Sequence, residues 1–312
     1  MTRPGLRVLV LLAVVLVACA LLAPRFLEFG FGDGRLRGAL VDVAHRGMPT
    51  LLLALGMTLV IGLGGIDLSV GSTMAIGGAL AALVLAAGGA AWVAFALGLG
   101  GGLCVGLGNG LLVRAAGVPP LVATLITLTA GRGLAQALTG GQIVTFERPE
   151  YAALASGAFL GLPVTLWQGA LATVALGALL RATRLGLYLE ACGDNPRAAR
   201  LCGLPVARMH GFAYALTGVL AAWAGQLAAA DIRAADVHST GLYLELDAIL
   251  AVVLGGTALT GGRIHLLGSV LGVLILQALT TALLMRGAGT EALLVGKAVA
   301  VLVFALLTRR PA

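Results

Sequence analysis

Ten apolar runs of roughly 17–25 residues, each long enough to cross a hydrocarbon core as a helix, leave few folds open to this chain. They fall near 6–23, 47–64, 69–88, 91–113, 118–138, 162–180, 209–229, 245–261, 264–285 and 291–307. The segment at 245–261 is the least regular, because Glu245 and Asp247 lie inside it. Only 11% of the 312 residues are charged, against about a quarter in a soluble domain. No stretch between the runs is long and polar enough for a soluble domain. The expectation is an all-α integral membrane protein of about ten transmembrane helices, with residues 1–312 forming one polytopic domain.

Ten crossings put both termini on one side. Basic residues concentrate in the 181–208 segment (Arg181, Arg184, Arg197, Arg200, Arg208) and recur at Arg309 and Arg310. The positive-inside rule then gives an N-in, C-in topology. The same rule accounts for the net charge of +7. Nucleic-acid binding is not expected, since no basic patch carries interleaved aromatics. Arg3 and Arg7 ahead of the first run, and Leu16-Val17-Ala18-Cys19 within it, also fit a signal peptide or lipoprotein site. Residues 20–23 stay apolar past that cysteine, so a retained first span is expected. Cys19, Cys104, Cys192 and Cys202 form no C-x-x-C pair, and no disulfide or metal site is expected.

Asp67 is the only charged residue between Arg46 and Arg114. It stands in Gly64-Gly65-Ile66-Asp67-Leu68-Ser69-Val70-Gly71. An acid at the bilayer centre costs about 2.5–3.5 kcal/mol on insertion scales. Glycines weaken helix continuity, and irregular backbone at depth is tolerated only against protein or beside water. The residues leave two roles open: Asp67 caps a helix starting near Leu68, where the helix dipole favours an anion, or it faces a polar path. The first is expected. Leu63-Gly64-Gly65 is echoed by Leu254-Gly255-Gly256, and paired glycine breaks of this kind point to transporter pathways. Other polar groups within or beside spans are Ser69, Asn109, Thr124, Arg132, Gln136, Gln277, Glu245, Asp247 and Lys297. Interhelical hydrogen bonding is the simplest role for the neutral ones, snorkelling for Arg132 and an ion pair for Lys297. Glu245 and Asp247, with Asp231 and Asp236, make one outer face acidic. Gly98, Gly102, Gly106 and Gly110 recur every four residues and predict a close helix–helix contact.

Enzyme motifs are missing. There is no H-E-x-x-H, G-x-S-x-G or Walker A loop, and the only lysine, Lys297, lies in an apolar span. Gly30-Phe31-Gly32-Asp33 spells a pattern of intramembrane aspartyl proteases, but a turn explains it in a polar loop. The 181–208 loop is more specific. In Glu190-Ala191-Cys192-Gly193-Asp194-Asn195-Pro196-Arg197-Ala198-Ala199-Arg200-Leu201-Cys202-Gly203, Asp194 or Asn195 suits an N-cap, Pro196 the first helical position and Gly203 the residue past the end. The helix so defined has two turns, too few to stand alone in water. It either docks on a soluble partner or lies on the lipid surface.

The 64–71 run and the 190–203 loop resemble the permeases of ATP-binding-cassette sugar importers, of the ribose/xylose/galactose branch. Gly141-Gln142-Ile143-Val144-Thr145-Phe146 and Gly241-Leu242-Tyr243-Leu244-Glu245-Leu246-Asp247-Ala248-Ile249-Leu250 are closer still to galactofuranose-type permeases. The resemblance implies a permease subunit of the bacterial inner membrane that moves a monosaccharide such as galactofuranose or ribose. It implies three partners: an ATP-binding subunit that carries ATP and Mg, a periplasmic sugar-binding protein, and a second permease, identical or a sister chain. The short helix becomes the cytoplasmic coupling helix, with Glu190, Gly193, Asn195, Pro196, Arg197, Arg200 and Gly203 on the ATPase side. No cofactor is expected on the chain itself. The rival class is a proton-coupled secondary transporter of a small polar solute with Asp67, Arg132 and Lys297 as its relay.

Overall fold

The computed structural model describes residues 3–32 and 34–308; Asp33, Arg309 and Arg310 lie outside the described residues. The spans read from the sequence appear as helices α1 (Arg3–Leu22), α2 (Ala39–Gly62), α3 (Val70–Ala86), α4 (Ala91–Arg114) and α5 (Pro120–Thr139). They continue as α7 (Val164–Ala182), α10 (Val206–Ile232), α11 (Leu244–Leu254), α12 (Leu266–Met285) and α13 (Thr290–Thr308). Six of them, α2, α4, α5, α7, α10 and α12, are long and apolar enough to cross a membrane, and shorter apolar helices cover Val8–Leu22 and Val70–Ala86.

α10 is the axis of the bundle, packed by α2, α3 and α4. The α4–α10 contact uses the glycine stripe. A Cβ on Gly102 would sit 2.3 Å from the Gly218 carbonyl, and one on Gly106 would sit 2.2 Å from the Tyr214 carbonyl. With no hydrophobic drive between helices in lipid, such backbone approach supplies the packing.

The bundle has two distinguishable ends. At one, the Gly262 N–H donates to the Gly62 carbonyl (2.9 Å), which joins the α2 terminus to the 255–265 loop. The short helices α8 (Leu185–Asp194) and α9 (Pro196–Leu201) lie there too. At the other end sit the hairpin β1 (Phe29–Gly32) with β2 (Arg35–Gly38), helix α6 (Pro149–Ser156), and the pair β4 (Ala158–Phe159) with β5 (Leu162–Pro163). β3 (Val144–Thr145) pairs there with β6 (Ala234–Ala235). The Leu36 N–H donates to the Gly161 carbonyl, tying the two hairpins.

Two expectations need correction. The run at 245–261 is not a full span: α11 stops at Leu254 after 11 residues, about 16 Å of helix. Gly255, Gly256, Gly261 and Gly262 break what hydropathy reads as continuous. Nor do Glu245 and Asp247 form an open acidic face. Glu245 is buried, and Asp247 is engaged by Lys297.

Candidate functional site

The polar residues picked out by sequence fall into three clusters and one surface helix. The first cluster stitches the break between α2 and α3. Asp67, Ser69, Asn109 and Thr124 are each at most 1% exposed. Asp67 Oδ1 accepts from the Ser69 N–H (2.9 Å) and from Ser69 Oγ (2.6 Å). Asn109 Nδ2 on α4 donates to Ser69 Oγ (2.7 Å), and Thr127 Oγ1 on α5 donates to Asn109 Oδ1 (2.6 Å). Thr124 Oγ1 reaches the Ile66 carbonyl (3.2 Å). Asp67 Oδ1 thus accepts from the N–H two residues on, the bond expected of a cap on a helix starting near Leu68, while regular α3 begins at Val70. The N-cap position belongs to Ser69, which makes no side-chain cap bond, and Asp67 fixes that residue from two positions upstream.

The second cluster lies beside the 236–243 segment. Arg132 Nη1 on α5 donates to the Val237 (2.9 Å) and Thr240 (2.7 Å) carbonyls, and its charge interacts with Glu245 and Asp236. One turn further, Gln136 Nε2 is 3.3 Å from His238 Nδ1. Arg132 holds irregular backbone. Glu245 leans on α3, with Oε2 lying 2.6 Å from where a Cβ on Gly71 would be. Tyr243, at the entry to α11, adopts a left-handed conformation (φ 65°). That conformation costs a residue with a Cβ about 1–2 kcal/mol. The third cluster is one ion pair, Lys297 Nζ to Asp247 Oδ2 at 2.6 Å, joining α13 to α11 with both side chains 15% exposed.

At the other end, α9 closes at both termini as the residues dictate. Asn195 Oδ1 accepts from the Arg197 (3.1 Å) and Ala198 (3.0 Å) N–H groups, and Pro196 takes the first position. Gly203 turns left-handed (φ 78°), its N–H donating to the Arg200 carbonyl while the Leu204 N–H donates to that of Ala199. This is a Schellman closure. Arg197, Arg200 and Leu201 face outward, Leu201 at 90% exposure.

Glu190 and Gly193, which sequence reasoning groups with this surface, point the other way. Glu190 Oε1 accepts from the Ile264 N–H (2.9 Å), and a Cβ on Gly193 would lie 1.9 Å from the Gly62 carbonyl. They join the loop to the membrane helices. Burial pushes the Cys192 thiol above its ordinary pKa, whereas Cys202 at the end of α9 is exposed.

Sequence reasoning missed Thr127, His238 and Tyr243. The three-residue spacing of Thr124 and Thr127 puts both on one face of α5 and was the one legible signal.

An apolar bundle with buried polar clusters and a capped, solvent-facing helix at one end is that of a multi-pass membrane protein. The chain belongs to the family described as "Branched-chain amino acid transport system / permease component", which it matches over residues 39–308. It is 47% identical to the galactofuranose transporter permease protein YtfT of Escherichia coli K12, over 96% of this chain and 87% of that one. It is 38% identical to the ribose import permease protein RbsC of Bacillus subtilis, over 96% and 91%. It is 36% identical to the fructose import permease protein FruF of Bifidobacterium longum, over 94% and 84%. No solved structure matches the chain.

Proposed function

We propose that the chain is the permease subunit of an ATP-binding-cassette importer that carries a monosaccharide inward, with a galactofuranose-type sugar first and ribose next. The observation that carries this is the 47% identity to a galactofuranose permease along 96% of the chain. ATP and Mg belong to a partner ATP-binding subunit, a periplasmic binding protein delivers the sugar, and a second permease, itself or a sister chain, completes the path. The membrane is the bacterial inner membrane.

In this reading the α9 end is cytoplasmic. The arginines of the 181–208 loop favour that side, and the chain then crosses ten times with both termini inside. The eighth crossing is composite, made of the 236–243 segment and α11. ATP binding closes the partner, which moves α9; Glu190 and Gly193 pass the movement to the 255–265 loop and to α2. The path opens alternately to the two sides, and the sugar passes unchanged. A proton relay through Asp67, Arg132 and Lys297 is disfavoured, because each bonds into a different cluster.

The test is purification with the ATP-binding subunit and binding protein, followed by a screen of monosaccharides for stimulated ATP hydrolysis. Galactofuranose should stimulate most. Equal hydrolysis with every sugar and with none would overturn the proposal.

A further inference from the structure

Residues 234–235 are fixed at the hairpin end by pairing with β3. Six residues later, Gly241 lies against Gly71, the second residue of α3, with 2.4 Å between the Gly71 carbonyl and the position of a Cβ on Gly241. From Gly71 to Ala86 at the hairpin end, α3 rises about 22 Å. The chain between α10 and α11 therefore descends more than half of a ~30 Å hydrocarbon core without forming a helix. Irregular backbone at that depth survives only where protein covers it or water reaches it.

One flank is covered. Val237 is buried, and Arg132 takes the carbonyls of Val237 and Thr240. The other flank is bare: Leu242, Tyr243 and Leu246 are each about half exposed. Tyr243 is held there against its backbone preference by the turn at Gly241, and its own carbonyl accepts from the Leu246 and Asp247 N–H groups. Three residues before it, the Thr240 carbonyl accepts from the Arg132 guanidinium, and one turn further along α5 the Gln136 amide meets His238 Nδ1, whose Nε2 lies 3.1 Å from the Gly141 carbonyl. An exposed aromatic face on a segment bound by an amide and a guanidinium suits a polyol ring, whose C–H face packs on the aromatic and whose hydroxyls meet the polar groups.

We propose that Tyr243 contacts the sugar in the translocation path, its ring carried deep into the membrane by the 236–243 segment. This rests on the permease reading, and two independent measurements test it. In a chain whose exposed Cys104 and Cys202 are replaced by alanine, Tyr243→Cys should react with a small water-soluble methanethiosulfonate in membranes. It should react more slowly when sugar-loaded binding protein and ATP are present. No reaction in any nucleotide state would place the position in lipid or packed protein and overturn the proposal.

In the reconstituted complex, Tyr243→Asn keeps a residue that tolerates the left-handed turn but removes the ring. Sugar uptake should fall about tenfold, while ATP hydrolysis stimulated by the binding protein stays within about twofold. Tyr243→Phe should retain uptake. An asparagine variant that transports like the wild type would overturn the contact. A wild-type complex that imports no sugar would overturn the permease reading instead, and the thiol reaction would still report whether the position faces water.

Discussion

The chain is broken twice by glycines, at 63–69 after α2 and at 255–265 after α11, and the two breaks are held in opposite ways. The first is closed from within the membrane helices. Asp67, Ser69, Asn109 and Thr127 form a chain of side-chain hydrogen bonds from the segment before α3 to α4 and α5. The second leaves Gly256, Ala258, Leu259, Thr260 and Arg263 exposed and is held by groups from elsewhere: the Gly62 carbonyl and the Glu190 carboxylate. The first break is a fixed joint. The second is fastened to the loop that carries α9, so whatever moves α9 moves it. Similar sequence at the two breaks is thus held by side chains within the bundle in one place and by the α8–α9 loop and the end of α2 in the other.

The largest expected effect comes from pushing apart the point where both breaks meet. Gly193→Ala puts a methyl group within 1.9 Å of the Gly62 carbonyl and 2.9 Å of the Gly262 nitrogen. Uptake should fall more than about tenfold, whereas Gly108→Ala, which enters open space, should transport normally. Glu190→Ala comes next, because it leaves the Ile264 N–H without its acceptor. The lost bond is worth about 1–3 kcal/mol, and a transmission role predicts that uptake falls further than stimulated ATP hydrolysis. Equal falls in both would make Glu190 a plain structural brace. Asp67 sharpens the other side. Asp67→Ala should lower thermal stability by about 1–3 kcal/mol, while Asp67→Asn, which still offers an oxygen to Ser69, should keep most transport. Complete loss in a well-inserted Asp67→Asn variant would move Asp67 from joint to path. The mildest probe changes no residue: thiol labelling of exposed Cys202 should slow when the ATP-binding subunit is added, and unchanged labelling would free α9 from that contact.

Much of this was legible before folding. Apolar run length placed the helices to within a few residues for most spans, and Asn195, Pro196 and Gly203 marked both ends of α9. Two things were not. Hydropathy averages over side chains, so it carried the span at 245–261 straight through Gly255 and Gly256, where the backbone turns. It also assigned the polar 236–243 segment to an outer loop, although Arg132 supplies the hydrogen bonds that let this backbone descend beside α5. Direction was the second gap. Glu190 and Gly193 share a motif with Arg197 and Arg200, yet only the fold shows that the first two face the bundle and the last two face away. In the same way, the cost of burying Asp67 was readable, while its network partners Asn109 and Thr127 lie 42 and 60 positions away in the chain and become neighbours only when α4 and α5 pack on α3.

The central claim is that α9 transmits work from an ATP-binding partner to the path, and the ratio of sugar imported to ATP hydrolysed measures it directly. In proteoliposomes holding the full complex, Arg197→Glu with Arg200→Glu reverses both outward charges of α9 without touching its caps. The account predicts a variant that inserts normally while its import per ATP collapses. A double variant that imports as much sugar per ATP as the wild type would contradict it.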